Sequence, residues 1–182
     1  MAELQIAQLA ASVDAARLEA LLEPLRRGRD AGVLAEAGAP AVADPGALLV
    51  RQAHACGLRV APLAGPSAIL LALMASGLEG QRFAFHGYLP VDERALKARL
   101  RELEVDSRRA RRTELFIETP YRNDRLLRVI LETCWSETLL CVAADLAAPG
   151  ESIATRTVAE WRAAPRALGR RPAVFLLLAA AR

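Results

Sequence analysis

Between Thr113 and Cys134 the chain reads TELFIETPYRNDRLLRVILETC. A short apolar run passes through a proline turn into a segment whose Leu126, Leu127, Ile130 and Leu131 share one helical face. This strand–turn–helix handover recurs along the chain, and it is what most limits the folds open to it. Strand-like runs are read at Leu4–Leu9, Gly32–Glu36, Leu58–Leu63, Arg82–Phe85, Thr113–Glu118, Thr138–Ala144 and Ala173–Leu178. Helical periodicity occupies Ala15–Arg27, Ala47–Cys56, Ser67–Ser76, Ala95–Leu103 and Asn123–Cys134. Such alternation predicts an α/β fold. Several strand runs are apolar at successive positions, as the buried strands of a parallel sheet are. Gly87 and Pro90 interrupt the pattern in HGYLPVDE, where a domain boundary is expected, giving domains 1–86 and 87–182.

With 182 residues, 53% of them hydrophobic, the chain can bury a true core. No apolar run approaches the length of a membrane span, and the first residues lack a secretory pattern, so a cytoplasmic protein with no membrane partner is expected. Cys56, Cys134 and Cys141 form no CxxC pair and only two histidines are present, which argues against a disulfide framework or a Cys/His metal site. All three cysteines sit among apolar neighbours and are expected in the core. The net charge of +3 is too mild to demand a nucleic-acid partner. The basic cluster SRRARR (Ser107–Arg112) reads as a solvated linker between a helix and a strand, with phosphate contact as the alternative.

Three helix entries share a design: Asp44-Pro45-Gly46, Gly65-Pro66-Ser67 and Thr119-Pro120-Tyr121. Asp44 and Thr119 are expected as N-caps, with Pro45 and Pro120 as first helical residues. Turns at the carboxyl ends of parallel strands gather at one sheet edge, where helix N-termini face a crevice. Small residues there (Ala37, Gly38, Ala39, Gly65, Ala68) let a ligand approach the main chain. Neither GxGxxG nor GxxxxGK[ST] is present, and AGPSA around Ser67 is not a nucleophile elbow. A hydrolase built from Ser67, His86 and Asp145 is one alternative; chemistry by a bound organic cofactor fits the remaining pattern better.

The stretches EAGAPAVADPG, LAGPSAI, ASGL, FAFHGYLP, LFIETPYRN and RRPAVFLLL resemble, in order and spacing, those of the tetrapyrrole methylase-like family of S-adenosylmethionine-dependent methyltransferases. Within it the chain is similar to the branch near the ribosomal RNA small subunit methyltransferase I proteins, which methylate a cytidine 2′-hydroxyl. The resemblance implies two α/β domains with S-adenosylmethionine in the cleft between them, and a homodimer. It implies that Ala37, Gly38, Ala39 and Val42 wrap the cofactor, that Ser67 and Ala68 meet it at the next helix start, and that Thr119, Ala144 and Ala173 face it from the second domain. Members of the family open with a strand, a Gly/Pro loop and a helix that the resemblance does not find ahead of Met1. On that reading the N-terminal domain is incomplete and the chain is N-terminally truncated.

Methyl transfer to a hydroxyl benefits from a general base. Glu118, at the end of its strand, is the first candidate and His86 the second, each with a structural alternative: an ion pair with Arg122, and a hinge histidine. Tyr121 and Arg122, with His86, are candidates for contacting substrate, since guanidinium forks and aromatic faces suit nucleotides. Two functions follow: a methyltransferase acting on ribosomal RNA or on a tetrapyrrole, or a truncated, inactive cofactor-binding module.

Overall fold

The structure, a computed structural model, describes residues 5–10, 12–36 and 38–180. They divide into two compact units, Met1–Ser67 and Ala68–Arg182. The boundary expected near His86 falls inside a strand of the second unit, and the contacts divide the chain at Ser67 instead.

In the first unit, α1 (Ala15–Arg26) starts where the Asp14 side chain accepts the Arg17 N–H at 2.7 Å, and α2 covers Ala47–Ala55. Glu19 of α1 accepts from Arg26 of the same helix at 2.6 Å and ties it to α2 by accepting from Gln52 at 3.3 Å. Leu22 and Ala53 are buried. The runs expected as strands at Gly32–Glu36 and Leu58–Leu63, and the described part of Leu4–Leu9, form none. A strand exists only through a ladder with a neighbour, and among the described residues these runs make no ladder.

The second unit is built on a five-stranded sheet of order β1-β2-β5-β3-β4: β1 (Phe83–Tyr88), β2 (Thr113–Ile117), β3 (Leu139–Ala144), β4 (Ser152–Thr157) and β5 (Ala173–Leu178). Only β1 and β2 pair in parallel; β2, β3 and β4 are joined through antiparallel pairings. The parallel sheet expected from the apolar runs is therefore a mixed one. Continuous apolarity reports that both faces are covered, and does not report strand direction. Along β5, Ala173, Phe175 and Leu177 enter one core and Val174 and Leu176 the other. The first core is closed by α4 (Glu93–Ala110), α5 (Asn123–Thr133) and α6 (Val158–Ala163), the second by α3 (Ala68–Ser76).

Local chemistry explains what the periodicity missed. Residues 145–151 are too few for a parallel crossover, so β4 returns antiparallel beside β3. Its sequence SIATRT carries four polar residues where β3 has none, as suits a strand at the sheet edge. Thr157 and Glu160 form a reciprocal capping box that starts α6. Helix α4 extends beyond the expected Ala95–Leu103. It begins where Asp92 accepts the Ala95 N–H at 2.9 Å, and it runs through most of SRRARR before Arg111 reverses the chain at φ 50°. That cluster is the end of a helix rather than a linker. Cys134 and Cys141 are buried as expected; Cys56 is half-buried, with its sulfur 3.0 Å from an Arg26 nitrogen.

Candidate functional site

Because β2 and β3 both run antiparallel to β5, strands β1, β2 and β3 point the same way. Their carboxyl ends (Tyr88, Ile117, Ala144) therefore lie along one sheet edge with the start of β5, where Ile117 pairs with Val174 and Ala144 with Ala173. This edge collects Glu118, Thr119, Arg122, Asn123, Asp145 and Arg171.

At the end of β2, Pro120 opens a single 3-10 turn, Pro120–Arg122, with Thr119 before it. The turn folds Arg122 back so that its Nη2 donates to Glu118 Oε1 at 2.5 Å and its Nε to the Thr119 hydroxyl at 3.1 Å. The same Oε1 accepts the Thr119 N–H at 2.7 Å and its hydroxyl at 3.2 Å. Thr119 is thus the cap residue, as expected, but its hydroxyl serves the Glu118–Arg122 pair and caps no backbone N–H. The Glu118 side chain is 6% exposed and that of Arg122 21%. The ion pair that was the structural alternative for Glu118 is present, and the described hydrogen bonds to its side chain converge on one oxygen. Tyr121 is exposed, with the Arg122 guanidinium 5.8 Å from its ring centre.

Next to this turn, Asn123 is fully buried. Its Nδ2 donates to the Arg171 carbonyl at 2.6 Å, and its Oδ1 has no partner among the described residues. The Arg171 Nε donates to Asp145 Oδ2 at 2.5 Å and its Nη2 to the Gly150 carbonyl, while Asp145 N–H donates to the Pro172 carbonyl at 2.9 Å. Asp145 adopts φ 52°, and a Cβ on Gly150 would come within 3.0 Å of its Oδ2. Arg171 thereby holds the loop after β3 against the start of β5. Sequence reasoning passed over Arg171, Asn123 and Gly150, although two of them sit inside the quoted stretches RRPAVFLLL and ETPYRN.

Ala144 and Ala173 pair with each other at this edge, and both are buried with their side chains in the α4–α5 core. Ser67 and Ala68 stand at the start of α3. In the first unit, Ala37 lies outside the described residues. Gly38 adopts φ 72°, and the Val42 N–H donates to the Ala39 carbonyl at 3.2 Å. Ala41 and Ala43 hold left-handed conformations (φ 63° and 57°), each costing about 1–2 kcal/mol for an L residue. The expected Asp44-Pro45 helix start is corrected: α2 begins at Ala47, and Gly46 is the N-cap without a side-chain bond. At φ 140° Gly46 takes a turn that the other residues of the loop would resist.

His86 is not joined to Glu118 by any hydrogen bond among the described residues. It lies on β1, with Nε2 2.5 Å from Glu114 Oε2 and Nδ1 3.3 Å from an Arg99 nitrogen. Arg112 Nε donates to the other Glu114 oxygen at 2.7 Å, and this contact pushes the guanidinium further above its ordinary value. Glu114 is fully buried, so this network neutralises a carboxylate inside the sheet–α4 interface. His86 and Asp145 are engaged elsewhere, so they do not form the acid–base pair that a Ser67 hydrolase would need.

No family model matches the chain. Curated relatives do. The chain is 35% identical over 144 residues to the ribosomal RNA small subunit methyltransferase I of Vibrio cholerae, covering 79% of this chain and 49% of that protein. It is 36% identical over 141 residues to the protein of that name from Xylella fastidiosa, covering 78% and 50%. The chain spans about half the length of the curated relatives it matches. Among solved structures, the methyltransferase CobJ aligns with a TM-score of 0.61 at 23% identity, covering 93% of this chain and 73% of that one. A cobalt precorrin-4 methyltransferase aligns at 0.53 with 18% identity, covering 92% and 72%. At those identities the structures establish a shared fold.

Proposed function

Since the chain belongs to the tetrapyrrole methylase-like family, as a relative of the ribosomal RNA small subunit methyltransferase I proteins, we propose that it works as an S-adenosylmethionine-dependent methyltransferase with ribosomal RNA as acceptor. The observation that carries this reading is the match to those proteins over more than three quarters of the chain. A 2′-hydroxyl is the acceptor group we favour.

The residues at the sheet edge suit such a cofactor. The Thr119 hydroxyl stands at the turn after β2, and the buried Asn123 Oδ1 is an acceptor with no partner among the described residues. We assign cofactor binding to Ala37, Gly38, Ala39, Val42 and Ser67 of the first unit and to Ala68, Thr119, Ala144 and Ala173 of the second. When bound, the sulfonium cofactor supplies an electrophilic methyl group for in-line displacement. The protein's task is then alignment and proton removal. Glu118 is our candidate to take the acceptor hydroxyl proton, with its direction fixed by the bonds from Thr119 and Arg122. Tyr121 offers an exposed ring for a nucleobase, and Arg122 fixes the turn that presents it. His86 we retain as a substrate-side residue only through its network with Arg99.

We further propose a cytoplasmic homodimer. The cysteines are free thiols, and α3 exposes Leu70 and Met74 on its outer face, which supports that reading. Among the described residues no helix is long and apolar enough to cross a membrane.

The test is transfer of tritium from labelled S-adenosylmethionine to small ribosomal subunits, run beside a precorrin pool, with calorimetric titration of the cofactor. Label in subunit RNA supports the proposal, and label confined to the tetrapyrrole pool overturns the RNA assignment. Absence of cofactor binding overturns the methyltransferase reading and favours an inactive module.

A further inference from the structure

The edge of the sheet opposite the candidate site carries a shallow cavity of about 450 Å³ that is open to solvent. Its floor is apolar: Leu139 at the start of β3, and Leu178 and Ala179 at the end of β5. Its charged wall is Arg82, Arg108 and Arg111, with Glu79 and Glu137 also present. The length of β5 sets this cavity about 17 Å from the Glu118 edge. We propose that it binds one nucleotide unit of a single-stranded RNA, with the phosphodiester on the arginines and the base over the apolar floor. This deepens the RNA-acceptor reading, and it rests on it.

The SRRARR cluster divides in a way that points to a ligand. Arg109 approaches Asp106 at 3.7 Å and Arg112 is paired with Glu114, so both have a carboxylate to hand. Arg108 and Arg111 instead turn to the cavity. The Arg108 guanidinium lies 3.8 Å from the Trp135 ring centre, which orients its plane, and its Nε is buried with no partner among the described residues. Arg108 also pulls on the buried Glu104 carboxyl one turn earlier on α4, so its guanidinium serves that carboxylate as well as the cavity wall. Arg111 ends α4 in the left-handed conformation, a position where glycine is the usual residue because a Cβ is strained there. No ion pair of Arg111 among the described residues offsets that strain.

Arg82 is only loosely engaged by Glu79, at 3.5 Å, and Glu79 also accepts the Gln81 N–H at 2.8 Å. Three arginines against two carboxylates leave the wall with a formal net charge of +1. Weak, salt-sensitive binding is what that balance allows. The apolar floor favours a nucleotide over a bare anion, because stacking and apolar contact add to the phosphate contact.

The experiment is fluorescence anisotropy of labelled oligouridine on the intact chain across a salt series. Arg111→Ala and Arg82→Ala should each weaken binding and flatten the slope of log K against log salt by about 0.7, one phosphate contact on a single strand. Glu137→Gln, which removes an opposing charge, should tighten binding. That variant keeps the test sharp where an arginine variant fails to fold. Unchanged slopes in the arginine variants, no tightening in E137Q, or no oligouridine binding by the wild type would each overturn the proposal. Full competition by inorganic phosphate at the concentration of oligouridine phosphates would overturn the nucleotide assignment in favour of a small-anion site. Cofactor titration of the same variants separates the two readings: heat of S-adenosylmethionine binding that survives while the variants' salt slopes match the wild type's fails this site alone.

Discussion

Glu104 offers a test of the packing that supports the whole second unit. It lies on α4 facing the core and is fully buried. Its Oε1 accepts the Trp135 N–H at 2.9 Å and the Thr138 hydroxyl at 2.5 Å, while Oε2 has no partner among the described residues. Burial is the largest influence on its carboxyl and pushes it above the ordinary value, against the opposing pull of Thr138, Trp135 and Arg108. The folded state therefore holds the proton more tightly than the unfolded chain. The resulting stability is fully present below the ordinary value of 4.5 and is lost as pH rises through the folded-state value.

Glu104→Gln keeps the Oε1 acceptor and its two donors, removes the charge, and sets an amide group beside the Cys134 thiol, a weak acceptor. A buried polar atom without a partner costs about 1–3 kcal/mol. At a urea slope of about 2 kcal/mol per molar, relief of that cost raises the unfolding midpoint by about 0.5–1.5 M. Paired urea titrations of wild type and E104Q check this. The midpoints should nearly coincide at about pH 4, where both side chains are neutral, and should separate toward pH 8 with the variant more stable. A midpoint for E104Q that falls below wild type at pH 8, or a difference independent of pH, refutes the reasoning. Either result would mean that the charged carboxylate's bonds to Trp135 and Thr138 outweigh its burial.

At the proposed transfer edge, Glu118→Gln keeps the Thr119 contacts but cannot take a proton. It should lower single-turnover methyl transfer by about 10²–10⁴-fold with cofactor affinity unchanged in calorimetry. Arg171→Ala releases Asp145 and the Gly150 carbonyl together, so cofactor affinity should fall while the far-ultraviolet dichroism holds; Arg171→Lys should not restore it, because a single ammonium cannot reproduce the fork. In the first unit, Gly46→Ala places a Cβ 3.1 Å from that of Ala41 in a backbone conformation strained for alanine, and should destabilise the start of α2 by about 1–3 kcal/mol, measured by amide exchange at Val50 and Arg51.

The second unit was legible because local chemistry and tertiary packing agree there. Asn123–Thr133 is amphipathic and follows a proline turn, so periodicity and turn signal place it within a residue. The run Ala173–Leu178 is a strand over its whole expected length because both of its faces are covered. In the first unit the same reading failed. Gly32–Glu36 and Leu58–Leu63 have strand-like composition but make no ladder, and strand formation depends on a partner that composition does not reveal. The cap at α2 failed for a related reason. Asp44 suits a cap in isolation, yet left-handed turns at Ala41 and Ala43 move the helix start to Gly46.

The amino-acid order by itself determined the α/β character, the helices that carry an apolar stripe, the proline turn after Glu118, and the resemblance that the relatives support. These are properties of short windows, set by side-chain spacing and backbone restriction. Only the tertiary structure decided that the sheet is mixed. It alone put His86 with Glu114, and it alone joined Arg171 to Asp145 and Gly150 across more than twenty residues. Those outcomes follow from which strands lie side by side, and a strand's neighbour is chosen by long-range burial that no local pattern encodes.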